Sequence, residues 1–252
     1  MPNWCENNLN ITGDHESLKK FADTVRSDKE GMPKYDILGS LYPIPEELQG
    51  TTAGHYTELP NSNWQVLLDT GEITQEWYDT LVSDNANGYA QSQKNLAQFG
   101  VKDWYDWCLS HWGTKWGDCD TDLVQNEEDY IEYYFTSAWS PPIDGLAHIS
   151  TMFPTLSFTI TYEEGGMGYF GATKIEDGDI YTSEGSHEDI EGYNDLFDNS
   201  DDIDYDKVHD MVLDAKDKCL SEVDGKVLVH LAHPDTNILE VFSMMRKSMM
   251  RK

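Results

Sequence analysis

Leu156-Ser-Phe-Thr-Ile-Thr-Tyr-Glu163 places Leu156, Phe158, Ile160 and Tyr162 on one face and Ser157, Thr159, Thr161 and Glu163 on the other. Strict alternation has the period of a β-strand with one face buried and one wet. Gly165-Gly166 and Gly168 follow, and a glycine-rich step of this length predicts a tight hairpin into a second strand over Tyr169 to Thr173. On the other side, Ile143, Leu146, Ala147 and Met152 recur at helical spacing and Pro154 stops them. Ser140 is the expected N-cap of that helix, with Pro141 in its first turn. Before it, Ile131, Tyr133 and Phe135 alternate again, so this half of the chain reads strand, helix, strand, hairpin strand.

The N-terminal stretch gives the same kind of unit. Cys5, Asn7, Leu9 and Ile11 share a strand face, Gly13-Asp14 breaks it, and Leu18, Phe21, Ala22 and Val25 form a helical stripe that Asp14 can cap. Tyr35 to Leu41 reads as a second short strand closed by Pro43-Ile-Pro45. From about 50 to 125 the texture becomes polar, aromatic and helical. Its clearest stripe is Val101, Trp104, Tyr105, Cys108, Leu109 and Trp112. The order is that of the split βαβ, ferredoxin-like class: an α+β fold with an antiparallel sheet and helices on one face. The expected organisation is a ferredoxin-like domain over 1–174 with a helical insertion at about 50–125. An acidic linker or loop over 175–206 follows, then an extension over 207–252 made of a helix from Val208 to Cys219, a strand from Val227 to Ala232 and a last helix around Ile238 to Met245.

Charge limits the partners. The chain has 252 residues, 47 acids against 17 Lys and Arg, and a formal net charge of -30. Residues 35–173 hold 21 acids and only Lys94, Lys102 and Lys115 as bases; residues 175–206 hold 13 acids and no base. Nucleic acid is bound by cations that displace its counterions, so direct DNA or RNA binding is disfavoured. No run of about 18 apolar residues offers a membrane span. With 38% hydrophobic residues and eight tryptophans, the chain has the material for a core. The four cysteines have no short repeated spacing and the sequence shows no secretory apolar segment, so a reducing cytoplasm is the expected compartment.

Several strings are unusual: Met1-Pro-Asn-Trp-Cys-Glu-Asn-Asn-Leu9, Trp112-Gly-Thr-Lys-Trp116, Phe135-Thr-Ser-Ala-Trp-Ser-Pro-Pro142, and Tyr162-Glu-Glu-Gly165 with Phe170-Gly171. In these the chain resembles the YubB-type ferredoxin-like proteins, small accessory proteins carried by bacteriophages and plasmids. The resemblance covers most of residues 1–173. It implies a mobile-element origin and a ferredoxin-like fold without an iron–sulfur cluster, and it brings no catalytic residues. The acidic stretch after about 176 lies outside the shared pattern.

Candidate sites follow from residue chemistry. Cys108 and His111 lie one helical turn apart and Asp118, Cys119 and Asp120 follow, a loose set of zinc-type ligands set against core packing of Cys108. Alternating acids at Asp118, Asp120 and Asp122 resemble oxygen ligands for Ca²⁺ or Mg²⁺ but lack the EF-hand order, and no cofactor is expected. Trp112 and Trp116 bracket Lys115, which would grip an anion or sit in a packed turn between insertion and sheet. Glu127, Glu128 and Asp129, with Asp198, Asp201, Asp202, Asp204 and Asp206, are the acids expected to meet a basic protein. The tail Phe242 to Lys252, four methionines beside four cations, suits an acidic partner or a second copy of the chain. No Walker A loop, dinucleotide fingerprint or nucleophile elbow is present. The functional expectation is a binding protein that engages a basic host factor and imitates nucleic acid. The alternatives are a metal-dependent or nucleotide-binding enzyme using Asp118, Cys119 and Asp120, and a virion or assembly component.

Overall fold

In the computed structural model, which describes residues 3–27, 34–197 and 204–232, with side chains to residue 225, the alternating runs form one antiparallel sheet. Strand β1 (Trp4–Gly13) leads into helix α1 (His15–Val25), started by Asp14, whose side chain accepts the Ser17 N–H. Strand β2 (Cys119–Asn126) and β3 (Tyr130–Ala138) follow the insertion, then helix α6 (Ile143–Met152), β4 (Leu156–Glu164), β5 (Tyr169–Glu176) and β6 (Asp179–Ser186). The strand order is β2-β3-β1-β4-β5-β6. Strands β1 to β4 with α1 and α6 therefore form a ferredoxin-like unit, extended at one edge by the β5–β6 hairpin.

Register explains the core. Leu9 stands between Tyr133 and Ile160, and Ile11 between Ile131 and Phe158. These side chains, with Phe135, Tyr162 and Ile175, face Leu18, Phe21 and Val25 of α1 and Leu146 and Ile149 of α6. Phe21 meets the rings of Phe153, Phe158 and Tyr133 at 5.4, 5.7 and 6.2 Å. Aromatic burial at such spacings dominates the energetics of a core. The other face stays wet over β1, β3 and β4. Over β5 and β6 it is covered by α7 (Tyr205–Ala232), which buries Val212, Cys219 and Val223 against Phe170 and Ala172.

The structure corrects several boundaries. Tyr35 to Leu41 is no strand: Tyr35 makes a single bridge to Arg26, and Ile37–Leu41 is the short helix α2. Two carboxylates decide this. Asp36 accepts the Gly39 N–H, while Asp118 accepts those of Ile37 and Leu38 at 2.6 and 3.0 Å, satisfying donors a helix start leaves open. The second ferredoxin-like strand is β2, so the helical insertion ends before residue 119, and its helices are α3 (Ser62–Asp69), α4 (Gln75–Phe99) and α5 (Trp104–His111). In α5 the buried face is Trp107 and Cys108, and Leu109 of the expected stripe is exposed. Ser140 does not cap α6: Pro142 occupies that position without a side-chain cap. The acidic stretch is not a linker throughout, because residues 179–186 form β6. Val227 to Ala232 continues α7 instead of forming a strand. The helix expected around Ile238 and the basic tail lie outside the described residues.

Candidate binding site

The strings that stood out in the sequence meet at one end of the sheet, where β1 begins and β3 and β4 end. Asn7, buried in β1, donates its amide to the carbonyls of Cys5 and Phe135 and to Ser137 Oγ, at 2.9, 3.3 and 2.9 Å. Ser137 Oγ in turn donates to the Ser140 carbonyl at 2.8 Å, and Ser140 Oγ to the Gly113 carbonyl at 3.0 Å. Thr114 donates to Ala138 O at 2.5 Å. A buried polar chain in which each member has a partner fixes backbone position. Here it ties the 112–116 turn to the 138–142 turn. Gly113 has φ +83°, a left-handed conformation that favours glycine, and a Cβ there would stand 3.0 Å from Asp144.

Beside these turns lies a cavity of about 540 Å³. It is lined by Gly113, Ser140 and Pro141 of these turns, Ile143 and Asp144 of α6, Tyr169 of β5, and Glu184, Gly185, Ser186 and Asp189 at and after the end of β6. Tyr169 donates its hydroxyl to Trp139 O at 2.5 Å, and Trp139, at φ +72°, turns an indole that is 49% exposed toward solvent next to the cavity wall. Tyr162 donates to Glu184 Oε1 at 2.5 Å. Gly171 makes this possible, since a Cβ there would lie 2.6 Å from the Tyr162 hydroxyl oxygen.

The electrostatics are negative. Burial first, then the Glu184 charge, raises the Tyr162 phenol above its ordinary range. Burial and then the neighbouring Cys5 and carboxylates do the same to Tyr169. Cys5 lies 4.0 Å from the Tyr169 hydroxyl, and burial pushes its thiol up to about 12. A thiol held neutral is no nucleophile.

The residues singled out from the sequence are dispersed. Trp112 is buried, donates Nε1–H to Tyr42 O at 3.0 Å and packs edge-on to Trp107. Lys115 sits over the rings of Trp116, Tyr105 and Trp104 at 4.4, 5.7 and 5.9 Å, and Trp116 tilts against Trp4. Glu127, Glu128 and Asp129 are exposed in the β2–β3 turn, at the far end of β3. Asp204 accepts the Lys207 N–H and so starts α7, in whose first turn Asp206 stands exposed. Asp198, Asp201 and Asp202 lie outside the described residues.

The metal-ligand reading separates in the same way. Cys108 is in the core with its thiol raised by burial to about 12. His111 stacks on Trp107, with Nδ1 2.9 Å from Trp107 O. Asp118 is committed to α2, and burial lifts its carboxyl to about 6 despite the two amide donors that pull it down. Cys119 is partly buried in β2 and Asp120 is exposed at φ +53°. Among the described residues no group of three His, Cys, Asp or Glu is placed to hold a metal ion. None of the four cysteines forms a disulfide, and no described helix is long and apolar enough to cross a membrane.

Sequence reasoning missed Asp144, Tyr169, Glu184 and Asp189 as a group. One signal was present: Ser186-His-Glu-Asp189 has capping-box spacing, and both reciprocal hydrogen bonds of that box form.

Residues 111–204 match the family model described as the ferredoxin-like domain in Api92-like protein. The match runs through the acidic stretch as far as residue 204. No curated protein matches the chain. Among solved structures, the crystal structure of a protein api92 from Yersinia pseudotuberculosis aligns at 12% identity and a TM-score of 0.41, covering 74% of this chain and 98% of that one. The chain thus folds as a ferredoxin-like domain, and its residues 111–204 are similar to the ferredoxin-like domain of Api92-like proteins.

Proposed function

We propose that the chain is an accessory protein of the YubB-like kind, carried by a phage or plasmid, that binds a basic host protein and inhibits a defence or nucleic-acid-binding factor by presenting carboxylates in place of phosphates. The observation that carries this reading is the wet face of the sheet. It displays Glu6, Glu132 and Glu163, and the lysines that border it are already engaged: Lys174 of β5 lies 3.6 Å from Glu176 and 3.4 Å from Asp224, and Lys216 of α7 lies 3.6 Å from Glu163. A ferredoxin-like sheet that binds RNA needs aromatic platforms beside cations available for phosphate. Here Tyr134 offers a ring with the Glu6 carboxylate beside it, and the exposed Trp4 is packed against Trp116, whose ring Lys115 already covers. Opposite charge steers association and rejects anionic competitors.

The test is capture from a bacterial lysate on the immobilised chain at low and high salt. One or a few basic proteins should be retained at low salt, released by salt and displaced by competing DNA. Retention unchanged by salt, or no retention at any ionic strength, sinks the reading.

A further inference from the structure

We infer that the open sheet face over β1 and β3 is the docking site of the chain's own residues 242–252, a basic, methionine-rich segment outside the described residues. The inference goes beyond the reading above: it gives the face proposed for a basic partner a competitor of the same chemistry within the same chain.

The first observation is the face itself. β1 lies inside the sheet, yet its outward side chains Trp4, Glu6, Asn8 and Thr12 are exposed, whereas the neighbouring β5–β6 half of the same face is covered by α7. Glu6 stands directly opposite Glu163 in the register, and like charges so placed repel. Glu163 is answered by Lys216 at 3.6 Å and by His187 Nε2 at 3.3 Å. Among the described residues no lysine or arginine forms an ion pair with Glu6 or Glu132. The Tyr130 hydroxyl donates to Glu132 Oε2 at 2.9 Å, which leaves the other oxygen of that carboxylate open to a cation.

The second observation is the match of spacing and chemistry. The unit Ser-Met-Met-Arg-Lys occurs twice, at 243–247 and 248–252, and residues 241–252 contain no acid. The cation pairs Arg246-Lys247 and Arg251-Lys252 are five residues apart, a distance of about 16 Å in an extended chain. On the face, Glu132 is in register with Asn10, and Glu6 lies four residues back along β1. Four residues along and one strand across separate the two positions by about 14 Å. Tyr134, in register with Asn8, stands between them. Met249 and Met250 stand between the cation pairs in the same way, and a thioether is a favourable neighbour for an aromatic ring.

The third observation is reach. Asp224 of α7 lies 3.4 Å from Lys174, which is in line across the sheet with Thr159, Asn10 and Glu132. From Asp224 the helix runs on to Ala232, about 12 Å further. Glu132 is three strands over from Lys174, about 14 Å. Residues 233–241 span up to about 30 Å, enough to turn back and cross that gap. Tethering within one chain raises the effective concentration to the order of millimolar, which favours this segment over the same segment of a second copy.

The test uses the full chain, a variant carrying Arg246→Gln, Lys247→Gln, Arg251→Gln and Lys252→Gln, and a fluorescein-labelled peptide with the sequence of residues 242–252, titrated by anisotropy. The peptide should bind the variant at least tenfold more tightly than the unaltered chain, whose face is already filled. Adding Glu6→Gln and Glu132→Gln to the variant should weaken the peptide about tenfold, whereas adding Glu127→Gln and Glu128→Gln at the far turn should leave it unchanged. Carbodiimide, which joins a lysine to a carboxylate in contact with it, should link Lys247 or Lys252 to Glu132 or Glu6 in the monomer. Equal affinity of the peptide for the unaltered chain and the variant overturns the inference, as does an equal loss from either glutamate pair. Links absent from the monomer or found only in a covalent dimer also overturn it. Salt-sensitive capture of a lysate protein alongside such a failure would leave the proposed function standing; peptide and links as expected without any captured protein would leave the inference standing alone.

Discussion

The sheet domain and the α3–α4 hairpin are built on opposite terms. The sheet buries Leu9, Phe21, Tyr133, Phe135, Phe158 and Tyr162 at 0% exposure. In α4, 25 residues long, the buried side chains are Asn85, Ser92 and Asn95. Trp77 and, in α3, Val66 are 58% exposed. The hairpin is positioned by amides: Asn85 both accepts from Thr57 N and donates to Thr57 O, and Asn95 donates to Lys102 O. A net hydrogen bond contributes about 1 kcal/mol, whereas a buried large side chain contributes about 1.5–3 kcal/mol. The domain's stability therefore resides in the sheet, and the hairpin is a loosely tethered attachment.

Four measurements would break or sharpen that contrast. The largest effect is expected from Phe21→Ala, which empties the point where α1 meets three rings; global stability by urea denaturation should fall by about 3–5 kcal/mol. If only a local segment opens, the sheet is not one cooperative unit. Next, Asn7→Leu removes the three hydrogen bonds its amide donates and the one it accepts from the Cys5 thiol, leaving Ser137 Oγ with its bond to the Ser140 carbonyl, and should lower stability by about 2–3 kcal/mol.

The third is a pH effect at Asp118. Its folded pKa, about 6, lies above the ordinary value of 3.8, so the folded state holds a proton that the unfolded state has lost. Stability should therefore decline as pH rises from about 4 to about 6 and be flat above, with Asp118→Asn removing about 1–2 kcal/mol of that slope. A slope of opposite sign in thermal melts would contradict the burial of this carboxylate. The smallest effect is Asn85→Ala, about 1 kcal/mol, and it should be local: faster amide exchange and proteolysis within 55–99 with the global transition unmoved.

How much of this was legible in sequence depended on burial. β1, β3 and β4 sit inside the sheet with one face in the core, so apolar residues mark every second position, and the ferredoxin-like order followed from them. β2 and β6 are edge strands. In β2 the alternation was of aspartates, which reads equally as ligand spacing, and in β6 the half-exposed positions are filled by Tyr181, Thr182 and Ser183 among acids. Residues 37–41 have the composition of a strand, yet Asp118, 80 residues away, satisfies the helix start; no local window contains that information. The cavity was half visible. Its Trp112–Trp116 and Trp139–Pro142 walls stood out as strings, while Glu184 and Asp189 were hidden in a run where every neighbour is acidic.

The position of β1 in the middle of the sheet sets a timetable for the chain as it is made. Asn7 finds Ser137 across 130 residues. At a synthesis rate of about 5–20 residues per second, the first strand waits roughly 7–26 seconds for its partner. Throughout that interval its face of Cys5, Leu9 and Ile11 has α1 to pack against but lacks β3 and β4 on its flanks. The α3–α4 hairpin is local and can close on itself during the wait, shortening the loop that β1 must span. The insertion that adds little to the finished protein's stability thus assists the one step of folding that its own length makes slow.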